Sequence, residues 1–199
     1  MDATIETFNK IAPQYVELTF DKISQFELNE FISMVPKEAK VLDVGCGSGR
    51  DLHYLMDYKF DVVGIDLSEG IINEAKKRVP KGNFQIMDMR GMEFEDNTFD
   101  GIWCCVTLCN IKREDLQRTL KEFKRILKPK GVLYISIKEG EGERIINDEK
   151  YNNLPLHFTF YQKDEIENAL KKENFNIIKN YASEGEDANW MNIFTKASS

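Results

Sequence analysis

Apolar residues recur along the chain with two different periods, and the change from one to the other outlines its elements. Over residues 4–20, Ile5, Phe8, Ala12, Tyr15 and Val16 fall on one helical face, interrupted by Pro13, a residue suited to the first turn of a helix. The spacing predicts two short helices broken at that proline, lying across the edge of a core or closing over a cleft as a lid. Residues 22–35 bring Leu28, Phe31, Ile32 and Val35 together and stop before Pro36, which predicts a further helix.

From Lys40 onward, short apolar runs alternate with helical spacing. Strands are expected over 41–44, 62–65, 84–87, 102–106 and 132–137, and helices over 51–58, 69–79 and 114–127. In the last helix Leu116, Leu120, Phe123 and Leu127 form one stripe, with acids at its start and basic residues at its end that complement the helix dipole. The polar run KEGEGERIINDEKYNN that follows is too long for an ordinary connection. It is either a mobile loop or part of a substrate cover. A helix over 163–172, with Asn174 placed for a left-handed cap, leads to two final strands over 175–181 and 190–196 joined by an acidic turn over 183–189. Runs of this kind are buried on both faces of a parallel sheet, so the chain reads as α/β, doubly wound, with ligands at the C-terminal edge of the strands.

A chain of 199 residues, 42% hydrophobic, suits one domain with one substantial core. The formal net charge of −7 disfavours whole-surface attraction to nucleic acid or to an anionic membrane. The N-terminus lacks a basic start followed by an apolar stretch, and no apolar run approaches a membrane span, so a cytoplasmic protein is expected. Cys46, Cys104, Cys105 and Cys109, with only His53 and His157 to join them and no CxxC spacing, suit neither structural zinc nor a disulfide framework. They read as small buried hydrophobes.

The candidate chemistry lies in VLDVGCGSGRD at 41–51, a strand, a glycine turn and the start of a helix. Glycine there permits positive φ and close backbone approach, and the first helical N–H groups face the crevice. Close packing of helix on sheet asks for the same small residues. Arg50 stands where a dinucleotide fingerprint wants its third glycine, and the Lys-Ser/Thr pair of a phosphate loop is missing. Strand ends bring three acids, Asp43, Asp66 and Asp88, to the same edge. Asp66 is either a ribose acceptor or a helix cap, and Ser68 is the better-placed cap. Asp88 and Met89 suit an exocyclic amine and the face of a purine, or merely begin the turn toward Gly91.

In this combination the chain resembles the class I methyltransferases that use S-adenosylmethionine. Their first motif is matched by VLDVGCGSG, their second-strand acid by Asp66 in VVGIDLS, their third motif by MDM at 87–89 and their fourth strand by FDGIWCCVTLCNI. LKEFKRILKPKGVLYISI is also similar to theirs, and FDGIW with KEGEGE resembles a small bacterial-type group whose substrates are largely unassigned. The resemblance implies a Rossmann-like seven-stranded sheet, five parallel strands plus a C-terminal pair with the last strand antiparallel, and an N-terminal helical cap. The single domain would comprise that cap (1–36), a cofactor-binding core (37–137), and a substrate loop with the C-terminal strands (138–199). It implies S-adenosylmethionine as cofactor, with Gly45, Cys46 and Gly47 against its methionine and ribose portion and Asp43 near the amino end. Asp66 would hold the ribose hydroxyls, Leu67 would touch the adenine, and Asp88 and Met89 would recognise it. Cys105 and Val106 would sit beside the sulfonium, and Tyr15 on the capping helix belongs to the same set. Many relatives of the small group carry histidine where this chain has Asn110, so no histidine base is expected there.

The expected reaction is methyl transfer to a small-molecule acceptor, in which positioning does most of the work. Tyr15, Asn110, Lys138 and Tyr161 are candidates for the acceptor pocket. A module that binds the cofactor without transferring its methyl, or a nicotinamide-dependent oxidoreductase, would share the sheet and the ribose acid.

Overall fold

The computed structural model describes residues 3–185 and 189–198. Five parallel strands, β1 (Lys40–Val44), β2 (Asp61–Asp66), β3 (Asn83–Ile86), β4 (Phe99–Cys105) and β5 (Leu127–Lys138), form most of its main sheet. With β8 (Phe175–Ser183) and β9 (Trp190–Ala197) they make seven strands in the order β3-β2-β1-β4-β5-β9-β8. Strand β9 runs antiparallel to both its neighbours, as expected for a sheet of this class.

Successive strand residues point to opposite faces, and both faces are covered. Leu42, Val63, Ile102 and Leu133 pack under α5 (Leu116–Ile126) and α6 (Lys163–Lys172). Val41, Val62, Trp103 and Tyr134 meet α2 (Gln25–Met34), α3 (Arg50–Asp57) and α4 (Glu69–Arg78). Asp43 lies on this second face, next to apolar Val41 and Trp103. Ser68 caps α4 as expected, its Oγ accepting the Ile71 N–H at 3.2 Å, and Asn174 takes the left-handed conformation (φ 59°) after α6.

The N-terminal reading needs correction. A single helix, α1 (Ala3–Thr19), runs through Pro13 instead of breaking there. Proline removes the N–H that would have bonded the Asn9 carbonyl, and tertiary contacts take over at that point. Gly70 of α4 lies so close that a Cβ on it would sit 2.8 Å from the Asn9 backbone oxygen. The Asn9 side chain meanwhile accepts from the Gly70 N–H at 2.9 Å and from Ser68 Oγ at 2.7 Å. Packing across α4 offsets the lost intrahelical bond.

The 138–153 run is not a featureless loop either. It carries one strand, β6 (Glu143–Asn147), which pairs antiparallel with β7 (Pro155–Thr159) just beyond the run, in a sheet of its own. Helix α1 clasps this hairpin: Thr7 Oγ1 donates to the Pro155 carbonyl at 2.8 Å and the His157 N–H donates to Thr4 Oγ1 at 3.1 Å. The expected turn over 183–189 falls partly outside the described residues. Among the described residues no helix is long and apolar enough to cross a membrane.

Candidate active site

The turn after β1 carries Gly45 at φ 65° and Gly47 at φ 51°, in the left-handed region that side chains disfavour. At Gly45 there is a second constraint, because a Cβ would lie 2.2 Å from Thr107 Oγ1. Thr107 follows β4, and its hydroxyl donates to the Val44 carbonyl at 3.1 Å, so the ends of β1 and β4 are pinned together through the absent side chain. A Cβ on Gly47 would meet nothing nearer than Tyr15 at 3.7 Å and the Gly45 carbonyl at 3.8 Å, so it is φ and not space that calls for glycine there. Two adjoining cavities open on either side of this turn, sharing Phe8, Tyr15, Gly45, Gly47, Cys105, Val106 and Asn110.

The first cavity lies over the ends of β2 and β3, where Asp66, Leu67, Asp88 and Met89 come together under Ile5 and Phe8 of α1. Asp66 Oδ1 accepts the Ser68 N–H at 2.9 Å and Oδ2 accepts the Gly47 N–H at 3.3 Å, which ties the acid directly to the glycine turn. Burial pushes its carboxyl up to about 6, against the pull of those N–H groups and that of Leu67. Asp88 experiences the opposite balance. Partial burial raises it, but Arg90 Nε, 3.0 Å from both oxygens, and Nη2 at 2.7 Å hold it below the usual carboxylate range. Arg90 also reaches Asp115 at 3.1 Å, so Asp88 is oriented by a guanidinium on its own turn.

Asp43 and Cys46 lie in the second cavity, of about 810 Å³, with Lys138, Tyr151, Leu156, Phe158 and Trp190. Asp43 is 2% exposed; one carboxylate oxygen takes the Leu52 N–H of the first turn of α3 and Oδ2 has no partner. Burial and then the neighbouring Asp51 raise its carboxyl well above the ordinary value. Asp51 is itself fully engaged, by Arg50 Nε at 2.6 Å and Nη2 at 2.9 Å and by Trp103 Nε1 at 2.9 Å. Arg50, notable in the sequence only for not being glycine, also donates to the carbonyls of Thr19 and Lys22, which fixes the link between α1 and α2 against α3.

At the end of β4, Val106 has φ 59°, a strained conformation for a β-branched residue. Its N–H donates to the Ser136 carbonyl at 3.0 Å and its own carbonyl accepts from Cys109 Sγ at 3.3 Å, which hold it there. Burial pushes the Cys105 thiol far above neutrality and Cys109 to about 12. Tyr15, wedged edge-on to Phe8 at 5.4 Å, is likewise raised by burial and stays protonated.

The acceptor candidates separate. Tyr15, Asn110 and Lys138 line the second cavity, and the Asn110 amide donates to the His157 carbonyl at 3.1 Å. Tyr161 does not belong with them. It is fully buried in the α5–α6 core, with its hydroxyl unpartnered and the Arg113 guanidinium 5.0 Å from its ring. Thr107, Arg90, Leu156 and Phe158 were missed from sequence. The alternation of PLHFT at 155–159 carried the signal for the last two, since Leu156 and Phe158 share a strand face and His157 and Thr159 share the other. His157 accordingly turns away from the cavities, to Thr159 Oγ1 at 3.0 Å and Glu143 at 3.4 Å.

A family model described as a methyltransferase domain matches residues 42–135, which include the glycine turn, Asp66, Asp88 and the end of β4. Demethylmenaquinone methyltransferase of Renibacterium salmoninarum is 30% identical over 142 residues, covering 68% of this chain and 58% of that protein. The match covers between 23% and 78% of the length of such curated relatives, and less than two thirds of most of them. The Burkholderia thailandensis 1,6-didemethyltoxoflavin-N1-methyltransferase, solved with 1,6-didemethyltoxoflavin and S-adenosylhomocysteine bound, superposes with a TM-score of 0.77 at 18% identity, over 99% of this chain and 88% of that one. The cyclase SpnF superposes with a TM-score of 0.78 at 14% identity, over 97% and 94%. At such identities the likeness carries the fold alone. The matching domain, the sheet order and the glycine turn facing Asp66 agree with one another: residues 42–135 carry a methyltransferase domain, on a fold shared with S-adenosylmethionine-dependent methyltransferases of known structure.

Proposed function

We propose that this chain binds S-adenosylmethionine across the two cavities and transfers its methyl group, by in-line displacement, to a small-molecule acceptor. The observation that carries the reading is the junction of Asp66 with the Gly47 N–H, an acid and a glycine turn brought together from successive strands. The residues present suit such a cofactor. Asp66 retains lone pairs for two ribose hydroxyls, and Asp43 offers a buried carboxylate oxygen without a partner for an ammonium group. Leu67 and Met89 supply apolar walls for adenine, beside the Asp88 carboxylate for its amine. Gly45, Cys46 and Gly47 would lie along the methionine and ribose, with Cys105 and Val106 beside the sulfonium. In this reading residues 1–36 cap a cofactor core at 37–137, and 138–199 supply the acceptor side.

The cofactor supplies a methyl group already activated by positive sulfur, so the chain's task is alignment, which can contribute roughly 7–11 kcal/mol at the extreme. Neither histidine lines the cavities among the described residues, and Tyr15 holds its proton at neutral pH. The acceptor atom therefore reacts with a lone pair it already has, as an amine, a carboxylate or a thiolate does. The enclosing hairpin and α1 favour a small acceptor over a macromolecule.

The test is calorimetric titration with S-adenosylhomocysteine and with NADH, followed by assay of S-adenosylhomocysteine release over amines, phenols, thiols and carboxylic acids. Binding of the nucleoside without NADH, and turnover on one class, is expected. Tight binding with no turnover on any class would favour the binding module, a reading kept open by the shared fold of the cyclase SpnF.

The Asp66 carboxyl sets a pH dependence. Hydroxyl donors prefer the ionised acid, so S-adenosylhomocysteine affinity is expected to be flat above about pH 7 and to fall by about tenfold toward pH 5. For stability the sign reverses. The folded chain holds this proton more tightly than the unfolded one, so the Asp66 contribution to stability is fully present below 3.8 and is lost as pH rises through about 6. Equal affinities at the two pH values would exclude Asp66 from the binding site.

A further inference from the structure

Lys138 ends β5 on the wall of the second cavity, half-buried, with its ammonium 4.5 Å from the Phe158 ring centre and 5.3 Å from that of Trp190. Ring faces attract a cation but leave its N–H donors unused. No carboxylate among the described residues pairs with it. Lys22 and Lys150 line the same cavity and are likewise without ion pairs among the described residues, in a chain whose net charge is −7. The acids on that wall do not answer them. Asp51 is held by Arg50 and Trp103, Asp148 Oδ1 accepts the Lys150 backbone N–H at 2.8 Å, and Asp43 is buried at the glycine turn.

Resting on the methyl-transfer reading above, we propose that the acceptor carries an anionic oxygen group, a carboxylate or a phosphate, seated on Lys138, with an apolar or aromatic body against Phe158, Trp190 and Leu156. The anion is a handle and not the methylated atom, because pairing with an ammonium withdraws the electron density an attacking oxygen needs. Register places Lys138 two residues beyond Ser136, the partner of Cys105 on β4. The handle is thereby held beside the strand end where the sulfonium would sit, and the body is directed toward it. The aromatic pair keeps the ammonium in one orientation, and the hairpin that carries Phe158 closes the outer side.

Trp190 lines this cavity, whereas Trp103, the chain's only other tryptophan, is fully buried, so tryptophan emission reports occupancy. Protein saturated with S-adenosylhomocysteine is titrated with benzoate, phenyl phosphate, benzamide and benzylamine. At least one of the two anions is expected to bind about tenfold or more tightly than the amide and the amine, and their ranking tells carboxylate from phosphate. Lys138→Gln should abolish that preference and Lys138→Arg should retain most of it, while S-adenosylhomocysteine binds both variants as it binds the parent. Three results would overturn the proposal: benzylamine or benzamide binding as well as the anions, an anion preference that survives Lys138→Gln, or no anion binding up to about 10 mM. Failure of the parent to bind S-adenosylhomocysteine would instead strike at the methyltransferase reading, which the first titration step detects separately.

Discussion

Replacing Asp66 with asparagine is expected to weaken S-adenosylhomocysteine binding about 100-fold while leaving the fold as stable as before or more so. Two hydroxyl-to-carboxylate bonds contribute about 1.5–3 kcal/mol each, and the amide keeps only one acceptor and no charge, so a loss of about 3 kcal/mol follows. Stability moves the other way because the carboxylate is costly to bury, as its rise to about 6 shows. The amide oxygen can still accept the Ser68 N–H, and the bond from Gly47, at 3.3 Å, is the longer and weaker of the two it loses or keeps. Calorimetric titration and thermal unfolding of the same preparation separate the two effects. Affinity within threefold or so of the parent would make Asp66 only an internal acceptor for its own turn.

Gly45→Ala should do the reverse and damage the fold first. The substitution combines a left-handed side chain, about 1–2 kcal/mol, with a Cβ overlapping Thr107, about 1–3 kcal/mol more. A loss of about 2–5 kcal/mol is a large part of the stability of an ordinary domain, and it corresponds to a Tm lower by roughly 5–15 °C. Adding Thr107→Gly removes the overlap but not the φ penalty, so a double-mutant cycle in denaturant should show the pair to be less harmful than the sum of its members. Strict additivity would mean that the two strand ends are not in contact there.

Helix and strand order was legible because each core element carries its own period. Thus 84–87 and 102–106 read as strands, 163–172 as a helix, and the glycine turn at 45–49 declared itself through residues that only an unusual backbone asks for. The acids at 43, 66 and 88 were visible as candidates because strand ends in a parallel sheet share one edge. The N-terminal helix was misread because propensity acts locally, whereas Gly70 and Ser68, some 60 residues away, stabilise α1 across Pro13. The hairpin at 143–159 escaped notice for a similar reason. Its strands bury little on their outer face, and contacts of β7 with α1 and with residues 110–111 after β4 give them a side to bury.

From the chain alone came the class of fold, the edge of the sheet and the acids proposed to meet a nucleoside, since these follow from local period and from the chemistry of single side chains. Which of those side chains remain available was settled in three dimensions. Folding ties Asp88 to Arg90 and Asp51 to Arg50, hides Tyr161 in the core, and leaves Asp43 Oδ2 without a hydrogen-bond partner and Lys138 without an ion pair among the described residues. Even near neighbours such as Arg50 and Asp51 or Asp88 and Arg90 pair only in the backbone and rotamers that the packed fold imposes, and burial of Tyr161 or Asp43 depends on elements far off in the chain, so no linear pattern encodes these outcomes.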